Sequence, residues 1–153
     1  MQTFLPYPDL ALSARVLDYR RLGGQINEVQ IMLDTLHELN KGTYWNHPIV
    51  NAWRHHEAYL CEFGLTCLDE WRSRKYALRQ KNEDKLRYHL DLCLDGGTEL
   101  EPPDWFGQAW VHDQYKGLLL WKNPGFYTRL FPGITAVSPG DFKYPVQTHG
   151  PSF

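Results

Sequence analysis

Apolar residues recur at helical spacing along most of the chain, and the segments they mark are predicted to be helices. Asp9 is placed to cap a first helix running to about Arg21, with Leu10, Ala14 and Leu17 on its stripe and Arg21 continuing that stripe inward. Gly23 and Gly24 are expected to break or kink it, and a second helix follows from about Gln25 to Leu39. Its face is Val29, Met32, Leu33, Leu36 and Leu39, with Gln25 at the centre and Glu28 at the rim one turn on. Asn40, Lys41 and Gly42 stop it. Pro48, preceded by Asn46 and His47, opens a third helix from about 48 to 63. Ile49, Ala52, Trp53, Tyr59, Leu60 and Phe63 form its apolar face, His56 falls inside that face, Glu57 lies at its edge, and Arg54 and His55 point elsewhere.

Gly64 marks a joint to a further helical piece, about 65 to 79, carrying Leu65, Leu68, Trp71 and Leu78. Asn82 then caps a helix whose Leu86, His89, Leu90, Cys93 and Leu94 keep the spacing until Gly96 and Gly97 end it. The rigid turn EPPDWFG, 101 to 107, leads to a last helix from about 108 to 121, where His112, Lys116 and Leu119 share a face and Asn123-Pro124-Gly125 stops the run. Prolines 6 and 8 keep residues 1 to 8 extended, and the residues from 126 onward, rich in Pro, Gly and aromatics, are expected to wrap irregularly on the helices. The predicted class is all-α: a compact single-domain bundle over 1–153 with an extended amino-terminal segment and an irregular tail.

Composition agrees with a globular chain: 42% of residues are hydrophobic and 14% aromatic. No run approaches the roughly 20 apolar residues of a membrane span, and the amino terminus lacks the pattern of a secretory signal, so the expected location is the cytoplasm. Cys61, Cys67 and Cys93 sit in helical apolar patterns without paired-ligand spacing and read as reduced core thiols. The adjacent His55 and His56 point about 100° apart on a helix and do not converge on one ion, so neither metal nor cofactor is expected.

The net charge of −2 does not announce a nucleic-acid partner, but the charges are segregated. Residues 72 to 87 hold seven Lys or Arg against Glu83 and Asp84, and 91 to 104 hold five carboxylates with no cation. The basic stretch is either a phosphate-binding face or a solvated surface. His56 is either a satisfied core histidine or a group lining a cleft, and Arg21, Gln25 and Glu28 are either one another's partners or part of a site. The P-loop, dinucleotide, zincin and hydrolase-elbow motifs are all missing, which removes the mechanisms they serve.

Taken together, MQTFLPYPDLALSARVLDYRRLGGQINEVQIML, YWNHPIVNAWRHHE, PDWFG, His112 and LLLWKNPGFY resemble the pyrimidine-dimer DNA glycosylases related to the phage endonuclease V, most closely the bacterial branch of that family. The resemblance implies an all-helical fold whose amino terminus threads into a DNA-facing cleft. It also implies chemistry in which the amino-terminal α-amine is the nucleophile and a glutamate near a helix start assists. An α-amine gives up its proton more readily than a lysine, so it serves as a nucleophile without deep burial.

Two departures stand out. Gln2 follows Met1, and a bulky second residue resists removal of the initiator, which places the amine on Met1. Arg21 stands where the phage pattern has its glutamate, and Glu28, two turns later, is the carboxylate on a suitable face and matches the bacterial branch; against that branch, Gly24 and Ile26 replace residues that are usually basic.

The resemblance implies a DNA glycosylase for damaged or modified pyrimidines, with abasic-site lyase activity as a further expectation. Its catalytic candidates are Met1, Glu28 and His56. The DNA-contact candidates are Arg20, Arg21, Gln25, Asn46, His47 and Arg54, followed by His112, Lys116 and Lys122. The partner is double-stranded DNA, engaged by a monomer. A non-catalytic DNA-binding module of the same fold and a nucleoside-processing enzyme reusing the pocket are the alternatives.

Overall fold

The computed structural model describes residues 1–40, 42–77 and 79–148. Lys41 and Leu78, placed by the pattern in a helix stop and on an apolar stripe, lie outside the described residues, as does the tail beyond 148. Among the described residues there are seven helices and no strand: α1 (Leu10–Val16), α2 (Tyr19–Leu36), α3 (Pro48–Trp53), α4 (Glu57–Ser73), α5 (Gln80–Asp95), α6 (Ala109–Lys122) and α7 (Pro124–Tyr127). The all-helical expectation holds. α4 is the hub, touched by α1, α2 and α5, and α2 also meets α3 and α5. Leu22, Met32, Leu33, Trp53, Phe63 and Trp105 belong to one continuous buried cluster, where each such side chain contributes about 1.5–3 kcal/mol.

Several helix boundaries differ from the pattern, each for a local reason. α1 stops at Val16, because the Asp18 N–H donates to the Tyr127 hydroxyl (2.8 Å) and that hydroxyl donates back to the Asp18 carboxylate. Held this way, Asp18 stays extended and α2 starts afresh at Tyr19. α2 then runs straight through Gly23 and Gly24. Gly23 is there to admit Trp71, whose ring would stand 3.1 Å from a Cβ.

The predicted helix from 48 to 63 is two helices, interrupted at Arg54–His56. His55 has φ 72° and donates its N–H to the Glu57 carboxylate (3.0 Å), which turns the chain and starts α4. α4 in turn passes uninterrupted through Gly64, the expected joint. A Cβ there would lie 2.8 Å from both Val29 and Leu86, so the glycine lets three helices close on one another. α2 ends at Leu36, three residues early, with Glu38 at φ 62°, and α5 starts at Gln80, ahead of Asn82. Gly96 and Gly97 end α5 as predicted. Asn123 ends α6 but also caps α7, accepting from Phe126 N–H.

From 128 to 148 the chain has no regular structure, and it crosses α6 at Gly117, whose carbonyl accepts from Val137 N–H (2.9 Å). This brings Phe142 onto Tyr115 and Tyr144 onto His47. The three cysteines are free and buried, and burial pushes the Cys61 thiol up to about 12. Among the described residues no helix is long and apolar enough to cross a membrane.

Candidate active site

The extended amino terminus lies inside the molecule, fixed almost residue by residue. Gln25, fully buried in α2, accepts the Phe4 N–H on Oε1 (2.5 Å) and donates from Nε2 to the Gln2 carbonyl (3.0 Å). Its amide thus acts as a one-residue strand partner. The Trp53 indole N–H donates to the Thr3 hydroxyl (3.1 Å), and Tyr115 meets the same hydroxyl. Further along, His112 Nδ1 donates to the Leu5 carbonyl (2.7 Å), and the Ser13 hydroxyl both accepts from Tyr7 N–H and donates to Tyr7 O. Little freedom remains for the α-amine at the end of this segment.

Glu28 lies near that amine, close enough to feel its charge but not paired with it. Its Oε2 accepts the Gln2 N–H at 3.1 Å, one residue from the amine. Burial raises the Glu28 pKa, against the lowering effects of the amine's charge, the Gln2 bond and Lys122. Two further groups feel this centre. His47 is lowered by burial and by the amine's positive charge, and Tyr144 is raised by burial and by Glu28. Lys122 lies in the wall between two hollows: one of about 260 Å³ reaching Arg20, Arg21, Gly24 and Glu28, the other of about 110 Å³ reaching Met1, Gln2 and Tyr144. A carboxylate and an amine therefore line two separate hollows, with the Lys122 cation in the wall of both. Such a set can attack an electron-poor carbon, balance the charge that develops and hold a phosphate nearby.

The sequence candidates divide on this geometry. Met1, Glu28, Arg20, Arg21 and Lys122 line the two hollows, and His47, outside them, packs on Tyr144 and feels the amine's charge. Arg21 pairs with Asp18 (3.3 Å), so Arg21, Gln25 and Glu28 each take other partners and do not form a cluster of their own. Gln25 is buried in its clamp and offers nothing to DNA. His112 is 3% exposed, with Nδ1 on Leu5 and Nε2 accepting from Gly107 N–H (2.8 Å), so it is a strut between the amino-terminal segment and the 105–107 turn.

His56 sits outside the apolar face where the pattern placed it. It is the N-cap residue of α4, and its Nδ1 lies 3.1 Å from the Glu101 carbonyl. Arg54 lies over the Trp45 ring at 4.4 Å and donates to the Trp45 carbonyl, and Trp53 is core. Asn46 is exposed next to His47, and Lys116 pairs with Asp113 (3.7 Å) over the Tyr7 ring. Tyr144 was not foreseen, because the irregular tail carries no periodicity to show which side chains turn inward. Among the described residues no group of three His, Cys, Asp or Glu could hold a metal ion.

Compared with known families, residues 1–84 match the model of the pyrimidine dimer DNA glycosylases. The match spans more than half of the chain and includes Met1, Arg20, Arg21, Glu28 and His47, while Lys122 and Tyr144 lie beyond it. No curated protein and no solved structure matches the chain.

Proposed function

Because the chain belongs to the pyrimidine dimer DNA glycosylase family, we propose that it excises a damaged or modified pyrimidine from duplex DNA, with the α-amine of Met1 as nucleophile and Glu28 as the assisting carboxylate. In this reading the amine nitrogen bonds to C1′ of the damaged nucleotide as the base leaves with the glycosidic electron pair. The amine's proton passes to Glu28, and the departing base takes up a proton. Ring opening of the sugar then gives a Schiff base, from which water releases the enzyme or β-elimination cuts the strand. Glu28 suits this work because burial, the largest influence, raises its pKa, while the neighbouring amine, the Gln2 bond and Lys122 act against that rise.

The single observation that carries the proposal is the bond from Gln2 N–H to Glu28. Through it a carboxylate lies one residue from the amine, although Arg21 occupies the position where the phage pattern has its glutamate. Arg20, Arg21 and Lys122 line the approach and supply phosphate contacts. Tyr144 shares a hollow with Met1, and His47 packs on its ring. Base release from duplexes bearing an oxidised pyrimidine, or glycosidic-bond cleavage read as a new abasic sugar in duplexes bearing a pyrimidine dimer, whose base stays joined to its neighbour, tests the reading. We expect release by the wild type and a loss of at least about 100-fold in Glu28→Gln, the scale of a removed acid–base group. Equal release by both proteins would remove Glu28 from the mechanism. A non-catalytic module draws support from one observation, Arg21 in place of the expected glutamate, and salt-dependent binding without release from any substrate would favour it.

A further inference from the structure

α2 separates two concave surfaces. On one flank lies the amine site, reached by Gly24 and Glu28, and on the other a groove runs between α2 and the connection from α4 to α5. Two hollows of about 230 and about 370 Å³ make up the groove, and they share Asn27, Arg79 and Asn82 in their walls. Successive helical residues point about 100° apart, so Asn27 and Glu28 are sequence neighbours that open onto different flanks. At one end Trp71 forms a wall, stacked on Tyr19 (5.3 Å) and donating its indole N–H to the Ala77 carbonyl, which fixes the connection in place.

Six of the seven cations in the basic stretch from 72 to 87 sort into two groups, and the seventh, exposed Lys75, lies in the turn after α4 and lines neither hollow of the groove. Arg72 and Arg87 both hold Glu83, Arg74 holds Glu70, and Lys85 holds Asp34. Gln80 bonds Asp84. Arg79 and Lys81, both exposed in the groove wall, have no carboxylate partner among the described residues. On the opposite flank Arg20 has none either, and Lys122 forms no ion pair, although its charge acts on Glu28. In a chain of net charge −2, a phosphate footprint has to be assembled from such unpaired cations, and these four bracket one helix.

We propose that the groove holds the phosphate backbone of the same duplex whose damaged nucleotide is presented to the amine, so that the DNA straddles the amino-terminal half of α2. This rests on the glycosylase reading above. Arg79 and Lys81 give charge-assisted bonds to phosphate oxygens, and the Asn27 and Asn82 amides add neutral donors between them. The exposed ridge between the flanks, Arg20, Gly24, Asn27 and Ile31, carries no bulk at Gly24, where a Cβ would meet nothing within 4 Å. A backbone can therefore approach the helix closely at that point.

The test measures affinity of the full chain for a duplex with an abasic-site analogue between about 50 and 200 mM salt. It compares the wild type with Arg79→Gln/Lys81→Gln and, separately, with Asn82→Asp, which adds a negative charge without removing a cation. Circular dichroism checks that each variant keeps its helices. The double variant is expected to lower the slope of log affinity against log salt by about 2 and to bind about tenfold more weakly at fixed salt. Asn82→Asp should weaken binding in the same direction. An unchanged slope and affinity in the double variant overturns the proposal, as does a wild type that binds no duplex. Base release by the wild type is scored in parallel. Release alongside an unchanged slope rejects the groove and keeps the chemistry, whereas an Arg79/Lys81-dependent slope without release keeps the groove and rejects the chemistry.

Discussion

At the scale of single residues, Gln25 does for the amino terminus what a neighbouring strand would do, satisfying one N–H and one carbonyl of a buried extended segment. Gln25→Leu keeps the volume but orphans both groups, a loss of about 2–4 kcal/mol. Thermal unfolding should fall by about 2–4 °C for each of those kcal/mol, and base release should fall with it because the amine loses its anchor. Glu28 predicts the opposite sign. Its folded pKa is raised by burial, so the stability linked to it is present below the ordinary carboxylate value and is lost as pH rises through the folded value. Glu28→Gln should therefore unfold at a higher temperature than the wild type at pH 7, with the gap closing below about pH 4.5, while activity is lost. Equal stability of the two proteins across that range would contradict the burial argument. Glu28 was legible in the sequence as a carboxylate on the rim of an apolar stripe. Gln25 was legible as a polar group needing partners, but the identity of those partners was not, because they belong to an extended segment with no periodicity linking it to α2.

At the scale of elements, the sequence located the helices but misplaced their ends. The reason lies in which residues carry positive φ. Glu38, His55 and Lys75 each stand two positions after the last residue of a helix, at φ 62°, 72° and 62°, and end α2, α3 and α4 without a glycine. Meanwhile Gly23 and Gly64 serve helix packing inside α2 and α4. A rule that equates glycine with a break fails at both kinds of position, and it succeeds at Gly96 and Gly97, where α5 does end on glycine. Gly64→Ala should destabilise by about 1–3 kcal/mol, since Val29 and Leu86 both have to yield. His55→Gly relieves left-handed strain at an exposed site and should stabilise by about 0.5–1 kcal/mol after allowing for the freer unfolded chain. Chemical denaturation of the two variants checks both signs.

At the scale of the whole molecule, neutral histidines fasten the helices together. A consistent set of protons runs from Cys93 S–H to His37 Nε2 (3.6 Å), from His37 Nδ1 to His89 Nδ1 (2.7 Å) and from His89 Nε2 to Asp34 (2.9 Å), tying the end of α2 to α5 with both rings uncharged. Burial lowers His37, His89, His112 and His47, against raising effects from Asp34 and Glu57 at His37 and from Asp34 at His89; Lys85 and the neighbouring His37 lower His89 further. For depressed values the linked stability is intact above about pH 6.5 and is lost as pH falls through the folded values. Measured in Glu28→Gln, which removes the opposing trend from Glu28, unfolding free energy should accordingly decline from pH 7.5 to pH 5, and a flat profile would contradict the neutral pairing.

The Gln25 clamp, with Trp53 and Tyr115 on Thr3 and His112 on Leu5, holds the amine near Glu28, and borohydride trapping on an abasic-site duplex, with the adduct mapped by mass, tests that placement most directly. A covalent adduct on the Met1 nitrogen, absent when one residue is added ahead of it, is the predicted result. An adduct on Lys122 or another lysine, or none while base release continues, would contradict the assignment of the amine as nucleophile.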